Sequence, residues 1–143
     1  MSTQESGENL EEAVQNLQYM QQVYQNQYTT ISREINAVMD YINELNAAKT
    51  SLEKFDRIKG SSMLSPIGSS VFISAKAATE PKVLVGVGGG YLVEKEIANA
   101  IEYLSSRIEM HTKNMQELMK ARDKAEDAIF DISARLDKIL KQA

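Results

Sequence analysis

The chain has 143 residues, of which 43% are apolar and 25% charged, and its formal net charge is −4 at pH 7. This acidic balance provides no basic surface for nucleic acid or an anionic membrane, and no apolar run reaches the roughly 20 residues that span a bilayer. The absence of cysteine excludes disulfides, thiolate metal sites and cysteine nucleophiles. The polar residues 1–13 do not resemble a signal peptide. We therefore expect a soluble, cytoplasmic protein with neither a membrane nor a nucleic-acid partner.

The first long segment, residues 9–59, is predicted to be one helix. Asn9 followed by Glu12 resembles a capping box at its start, and a glycine follows its end. Alternate steps of four and three residues from Leu10 to Leu52 visit thirteen positions, eleven of which are apolar. This heptad seam is typical of a coiled coil.

Residues 61–93 contain the strand and turn chemistry of the chain, including both prolines and most of the glycines. Two β-branched runs, Val71–Lys76 and Lys82–Val87, are bounded by turn residues, and shorter runs at Met63–Ile67 and Tyr91–Val93 are their partners. This pattern predicts four strands in two β-hairpins.

Two hairpins with apolar residues on both faces are not stable alone in water. We therefore expect strands of other chains to complete the sheet. The residues predicted at this subunit contact are Val71, Phe72, Ile73, Val83, Leu84, Val85 and Val87.

The last segment, residues 94–142, is predicted to be a second helix with an equal seam. The same steps from Ile97 to Ile139 again visit eleven apolar residues in thirteen positions. Two equal seams joined by a segment that reverses the chain predict a mainly α fold, a long antiparallel two-helix coiled coil with two central hairpins. We interpret residues 1–143 as a single domain, in which Leu10 lies beside Ile139.

The candidate chemical motifs are weak. The glycine-rich run Gly86–Gly90 could suggest a phosphate loop, but no Lys-Ser or Lys-Thr follows it, so a hairpin turn or bulge is favoured. His111 is the only histidine and has no second histidine with which to form a metal or catalytic site. The carboxylates lie on helix faces with no cleft to raise their pKa values. We predict no catalytic, cofactor or metal site, and no enzyme activity.

Several apolar residues near the two ends of the chain fall outside the seam, where a two-helix coil would carry charge. They are Tyr19, Met20, Val23, Phe130 and Leu140. One interpretation is scattered surface hydrophobicity, which is common. The other is an apolar surface suited to varied apolar partners, and the pattern of residues alone leaves both open.

The segment between the helices resembles a known linker. Ser65–Ile73 and Lys82–Lys95, followed by Ala98–Leu104, are similar to the linker of the prefoldin α subunits, in particular the archaeal type. That class has two hairpins between its helices where the β class has one. The architecture is similar over essentially the whole chain.

This resemblance implies a hexamer of two α and four β prefoldin subunits whose hairpins form a double β-barrel platform, with six coiled coils projecting from it. In that family the coil tips hold non-native polypeptides without ATP and deliver them to a group II chaperonin. The alternative is a coiled-coil scaffold or adaptor that oligomerises through its hairpins. By position, the client-binding tip residues implied here are Leu10, Val14, Leu17, Tyr19, Met20, Ile129, Phe130, Ile132, Leu136, Ile139 and Leu140.

Overall fold

The computed structural model describes the backbone of residues 2–142 and the side chains of residues 7–142. Along the chain, a long helix precedes and another follows a segment of four strands and one short helix. This is the predicted mainly α fold. In chain order the elements are α1 (Ser2–Glu53), α2 (Phe55–Ile58), β1 (Ser62–Gly68), β2 (Val71–Lys76), β3 (Lys82–Gly88), β4 (Tyr91–Glu96) and α3 (Ile97–Gln142).

The chain divides into two compact units. The first, unit 1, combines the described residues up to Asp40 with those from Thr112 onward. Its buried core comes from both long helices, namely Ile35 on α1 with Ala125 and Ile132 on α3. The Nε2 of Gln21 donates a hydrogen bond to the Oγ of Ser133 at 3.0 Å. In unit 1, therefore, the start of α1 lies antiparallel to the end of α3.

Unit 2 contains Tyr41–His111, with both hairpins and the adjoining helix ends. Its core is again built from the two long helices, by Ile42 and Leu45 on α1 and by Ala100 and Leu104 on α3. Tyr41 of α1 contacts α3 twice, through a hydrogen bond from Arg107 at 3.3 Å and an edge-to-face contact with His111.

The predicted heptad seams coincide with the buried faces of both helices. On α1 every seam position except Leu10 is buried or half-buried, and on α3 all thirteen are. Because two packed helices can shield only a narrow stripe, few residues are fully buried, and Ile35 is 3% exposed. The seam prediction is confirmed.

The bounds of the first helix differ from the prediction. α1 begins at Ser2, so Asn9 and Glu12 lie inside the helix and do not form its N-terminal cap. No proline precedes them, and acidic residues in this stretch favour the positive end of the helix dipole. α1 also ends earlier than predicted, at Glu53. The N–H of Lys54 is shared between the carbonyls of Thr50 and Ser51, at 3.3 and 3.2 Å, and a short helix follows.

The two hairpins have the same design. β1 pairs with β2 from Ser62↔Lys76 to Gly68↔Val71, and β3 pairs with β4 in the same register twenty residues later, from Lys82↔Glu96 to Gly88↔Tyr91. Each pairing is irregular one step before the turn. The four strands form two separate two-stranded antiparallel sheets, which confirms the predicted pair of hairpins.

Both turns require left-handed backbone at their two central residues. The φ values are 63° and 79° at Gly89 and Gly90, and 46° and 60° at Ser69 and Ser70. Two positive φ values are typical of the type I′ turn, which matches the twist of the strands. The glycine-rich run is therefore a hairpin turn, as favoured above.

The second helix begins later than predicted, at Ile97 and not at residue 94. Residues 94–96 belong to β4 because they continue the ladder opposite Lys82–Leu84. The N–H of Ile97 then donates to the carbonyl of Pro81 at 3.0 Å, which extends this ladder by one step into the helix.

Candidate functional site

The hairpins carry a large group of exposed apolar side chains. Each of these residues is at least 40% exposed, and together we name them the hairpin surface. Burying large apolar side chains away from water is favourable, and exposed apolar surface of this kind often marks a site of protein interaction. The members of the hairpin surface are Met63, Leu64, Ile67, Val71, Phe72, Ile73, Leu84, Val87, Tyr91, Leu92 and Val93.

Five of the seven residues predicted at the subunit contact belong to this surface. The other two, Val83 and Val85, are half-buried. They line a groove of about 440 Å³ between β3 and the helices of unit 2, which we name the β3 groove. The exposed apolar residues of β1 and β4 were not predicted at the subunit contact, although both strands were predicted and their apolar residues are visible in the sequence.

One cation lines the β3 groove and a second lies near it. Arg107 lines the groove and donates a hydrogen bond to the hydroxyl of Tyr41, and this bond raises the pKa of the Arg107 guanidinium above its ordinary value. Two cations lie near the ring of Tyr103, with Arg107 Cζ 5.9 Å and Lys95 Nζ 5.4 Å from the ring centroid. Such distances allow cation–π attraction.

A second groove lies in unit 1, between the start of α1 and the end of α3. Its volume is about 490 Å³, and we name it the terminal groove. It brings together four of the predicted client-binding residues, Leu10, Val14, Ile139 and Leu140. Leu10 is 49% exposed and Leu140 64%. The remaining lining residues are Gly7, Glu11 and Gln15.

Gly7, Glu11 and Gln15 are not among the predicted client-binding residues. A Cβ added at Gly7 would meet nothing within 4 Å, so the glycine leaves the end of the groove open. The position of Gly7 in the groove could have been predicted from its spacing, because it lies three residues before Leu10 and therefore on the same helical face. Glu11 and Gln15 give the apolar groove a polar rim.

The other predicted client-binding residues fall into two classes. Tyr19, Met20 and Phe130 are exposed and do not line the terminal groove, with Tyr19 and Phe130 at 70% and 67% exposure. The rest lie on the seam. Leu17, Ile129 and Leu136 are half-buried, and Ile132 is 4% exposed within the core of unit 1. Ile132 can contact a client only if the two helices separate.

Titratable groups suited to catalysis are not gathered in the part of the chain that the structure describes, which holds no group of three His, Cys, Asp or Glu residues able to bind a metal. His111 packs its ring against Tyr41, with ring centroids 4.8 Å apart at 87°. Its Nε2 is buried and has no hydrogen-bond partner among the described residues. None of the described helices is both long and apolar enough to cross a membrane.

Known proteins are similar to this chain in sequence and in fold. The family model described as prefoldin subunit matches residues 24–142. The chain belongs to the prefoldin family. It is thus a chaperone subunit, and the predicted resemblance to archaeal prefoldin α subunits is confirmed by its relatives.

Two of these prefoldin relatives illustrate the extent of the similarity. The prefoldin subunit alpha of Methanospirillum hungatei is 29% identical over 126 residues, which cover 85% of each chain. That of Methanocorpusculum labreanum is 26% identical over 134 residues, covering 93% of this chain and 91% of its own. The chain therefore resembles these prefoldin subunits over nearly their whole length.

A solved structure has the same fold. In the cryo-EM structure of filamentous PFD from Methanocaldococcus jannaschii, a chain of 24% sequence identity superimposes with a TM-score of 0.56. The match covers 87% of this chain and 98% of that one. The mainly α prefoldin fold with its two hairpins is thus confirmed.

Proposed function

We propose that the chain is the α subunit of an ATP-independent holdase chaperone of the cytoplasm. Its hairpin surface assembles with β prefoldin subunits into a hexamer of two α and four β chains, with the hairpins forming the β-barrel platform. Its terminal groove and the neighbouring exposed apolar residues capture non-native polypeptides, which the hexamer delivers to a group II chaperonin. The observation that carries this proposal is the presence of two exposed apolar surfaces in different units of one chain.

The assembly role of the hairpin surface is supported by the free energy that burial of its apolar side chains would release. Burying apolar area stabilises a contact by roughly 25 cal/mol per Å², and eleven large side chains are available here. Each two-stranded sheet also has free edges, which favour pairing with further strands. Closing such strands into a barrel would remove both the exposed edges and the exposed apolar faces.

The capture role rests on the terminal groove and its surroundings. Apolar attraction is non-directional, so a groove lined by Leu10, Val14, Ile139 and Leu140 accepts apolar side chains of many shapes. Tyr19 and Phe130 extend the exposed apolar area of unit 1 beyond the groove. Each such contact is weak, and several coils acting on one client raise the overall affinity through effective concentration.

Independence from ATP is supported by the conformation of the glycine-rich run. Gly88–Gly90 form the bulge and turn of the second hairpin, and β4 follows them directly. A phosphate loop instead leads into the N-terminus of a helix, where backbone N–H groups bind the anion. The run therefore has the backbone of a hairpin and not that of a nucleotide site.

The test of the proposed function is protection of unrelated denatured clients. Two unrelated proteins are diluted from denaturant into the hexamer, with and without ATP, and aggregation is followed by light scattering. The proposal expects equal suppression of scattering for both clients and no effect of ATP. Binding of a single folded partner without suppression would instead favour the alternative, a coiled-coil scaffold or adaptor.

A double variant connects this activity to unit 1. We expect Phe130→Ser with Leu140→Ser to weaken protection at least severalfold, because both side chains are more than 60% exposed and supply apolar contact area. Helix melting should change little, since neither residue lies in the seam. The matched control is Met110→Ser, which removes a 53% exposed apolar side chain of α3 in unit 2. Equal loss of protection in the control would argue against capture at this surface.

A further inference from the structure

The α1 side of unit 1 lacks charge over a long stretch. Residues 13–32 contain no Asp, Glu, Lys, Arg or His, although 25% of the whole chain is charged and about five of these twenty residues would carry a charge on average. On α3, nine of the twenty residues 117–136 are charged, and this stretch includes the Ser133 that Gln21 contacts. The two helices of unit 1 therefore differ, with an uncharged surface on α1 and a charged one on α3.

Four glutamines form one line on the uncharged surface, and we name them the glutamine stripe. They are Gln15, Gln18, Gln22 and Gln25, spaced by three, four and three residues, and each directly follows a seam position. Positions beside the seam of a coiled coil often carry Glu and Lys, which form salt bridges between the helices. All four side chains are exposed, and none of their amide groups has a hydrogen bond to another described residue. Their donors and acceptors are therefore open to a ligand.

The glutamine stripe continues the terminal groove along α1. Gln15 belongs to both, since it lines the groove together with Leu10 and Val14. From Gln15 to Gln25 the helix rises about 15 Å at roughly 1.5 Å per residue, which is the length of about five residues of extended chain. A polypeptide held in the groove by its apolar side chains can therefore pass along the stripe.

The chemistry of the stripe matches that of an exposed polypeptide backbone. A side-chain amide has the same donor and acceptor groups as a peptide bond. Non-native chains expose backbone N–H and C=O groups that folded proteins pair almost completely, so a row of amides distinguishes the two states. An amide is also less costly to desolvate than a carboxylate or an ammonium group, and it does not select clients by their charge.

An apolar neighbour can shield such hydrogen bonds from water. Tyr19 lies four residues after Gln15 and three before Gln22, which makes it a surface neighbour of both. It is 70% exposed, and the adjacent Met20 is 44% exposed. Because a hydrogen bond is stronger where water is excluded, a client that covers Tyr19 strengthens its own bonds to the flanking amides.

We propose that the glutamine stripe binds the backbone of an extended, non-native polypeptide whose apolar side chains occupy the terminal groove. This inference rests on the proposed function, because it names a second chemical group of the client that unit 1 recognises. Capture in unit 1 is then one-sided, with the client along α1 and the charged surface of α3 in water. The sign of the client's charge has little effect on this contact.

Methionine variants separate hydrogen bonding from apolar attraction. Gln18→Met with Gln22→Met removes two amides, keeps the length of the side chains and suits a helix. We expect the hexamer with this variant to bind a labelled, uncharged peptide of alternating leucine and serine about threefold more weakly in fluorescence anisotropy, since one net hydrogen bond changes affinity by a factor of about two to ten. Purely apolar capture predicts tighter binding, because methionine adds apolar surface.

The matched control removes two amides from the other helix of the same unit. Asn114 and Gln116 are exposed residues of α3 in unit 1. Asn114→Leu with Gln116→Met makes a similar change in polarity, and we expect it to bind the peptide like the wild type.

A change in the peptide backbone tests the contact from the client's side. A copy of the same peptide with N-methylated peptide bonds keeps every side chain but lacks the backbone donors. The wild-type hexamer should bind this copy about threefold more weakly than the parent peptide, and the difference should be much smaller in the Gln18→Met, Gln22→Met variant. Effects of N-methylation on the peptide itself are the same for both proteins, so the coupling between the two changes reports the contact.

The results that overturn this proposal are distinct from those that overturn the proposed function. Unchanged or tighter binding of the parent peptide by the methionine variant, or an equal loss in the α3 control, excludes the stripe as a backbone site. Equal effects of N-methylation in both proteins exclude contact with the peptide backbone. A stripe that instead pairs two copies of this chain would appear in sedimentation without peptide, as weaker self-association of the methionine variant. Failure of the proposed function appears as a wild-type hexamer that neither binds the parent peptide nor suppresses light scattering by denatured clients.

Discussion

At the scale of single residues, the stability of each unit depends on few side chains. Ile35, Ala125 and Ile132 are the buried apolar residues of unit 1, because a pair of helices shields only the stripe between them. Most other seam residues are half-buried and contribute less apolar area each. A change at a fully buried position should therefore have a large effect, and a change one residue away almost none.

Ile35→Asp tests this dependence. Ile35 is 3% exposed, and an unpaired charge in its place should destabilise unit 1 by about 3–5 kcal/mol. We expect the helical signal in circular dichroism to melt at a clearly lower temperature. Asn36→Asp is the matched control, since it adds the same charge at the next, exposed position. If both variants melted like the wild type, Ile35 would not belong to the core.

The residues of the seam could be predicted from the sequence because a spacing of 3.5 residues keeps one face of a helix against its partner. The sequence could not predict which strand residues are half-buried and which are exposed. Val83 and Val85 have the same residue type as Val71 and Val87, yet they face the β3 groove while the other two are exposed. Strand alternation predicts two faces but does not tell which one a neighbouring helix covers.

At the scale of secondary structure elements, the ends were harder to predict than the elements themselves. Asn9 and Glu12 have the spacing of a capping box, but they do not start the helix. The helix extends seven residues further toward the N-terminus, and α1 begins at Ser2. Glu94–Glu96 have charges typical of a helix start, but ladder pairing with β3 keeps them in a strand. The break between α1 and α2 at Lys54 involves neither glycine nor proline, so no residue type in the sequence predicts it.

The turn of the first hairpin offers a test at this scale. Ser69 and Ser70 have positive φ values, and left-handed backbone costs a residue with a Cβ roughly 1–2 kcal/mol. Ser69→Asn with Ser70→Gly should therefore stabilise this hairpin, because Asn-Gly is the preferred type I′ pair. We expect slower hydrogen exchange at the amides of Ser65 and Ile73, about tenfold for each 1.4 kcal/mol gained.

The control for the turn variant is a glycine placed within a strand. Ser74 lies in β2 and lacks a positive φ, so Ser74→Gly relieves no backbone strain. It should instead destabilise the strand by about 0.5–1 kcal/mol. Exchange at the same two amides should become faster. Faster exchange in the turn variant as well would contradict the left-handed turn.

At the scale of the whole molecule, assembly and capture are assigned to different units. The hairpin surface belongs entirely to unit 2, whereas the terminal groove and the exposed Tyr19, Met20 and Phe130 belong to unit 1. Contacts in a two-helix coil are local, because each layer of side chains packs only on its neighbours. Removing the ends of the chain should therefore leave the packing of unit 2 unchanged.

Removal of residues 1–20 and 129–143 tests this separation. All the predicted client-binding residues are deleted, while Tyr41–His111 with both hairpins remain, so the truncated chain should still assemble with β subunits in sedimentation. Protection of a denatured client should fall to a small fraction of the wild-type level, since the loss of several weak apolar contacts is multiplied when they act together. If a truncated hexamer still suppressed light scattering fully, clients would bind to the platform or to the sides of the coils and not to the deleted residues.

The hairpin variant Phe72→Asp provides the converse control. It alters a 55% exposed residue of unit 2, so it should reduce assembly while leaving the terminal groove intact.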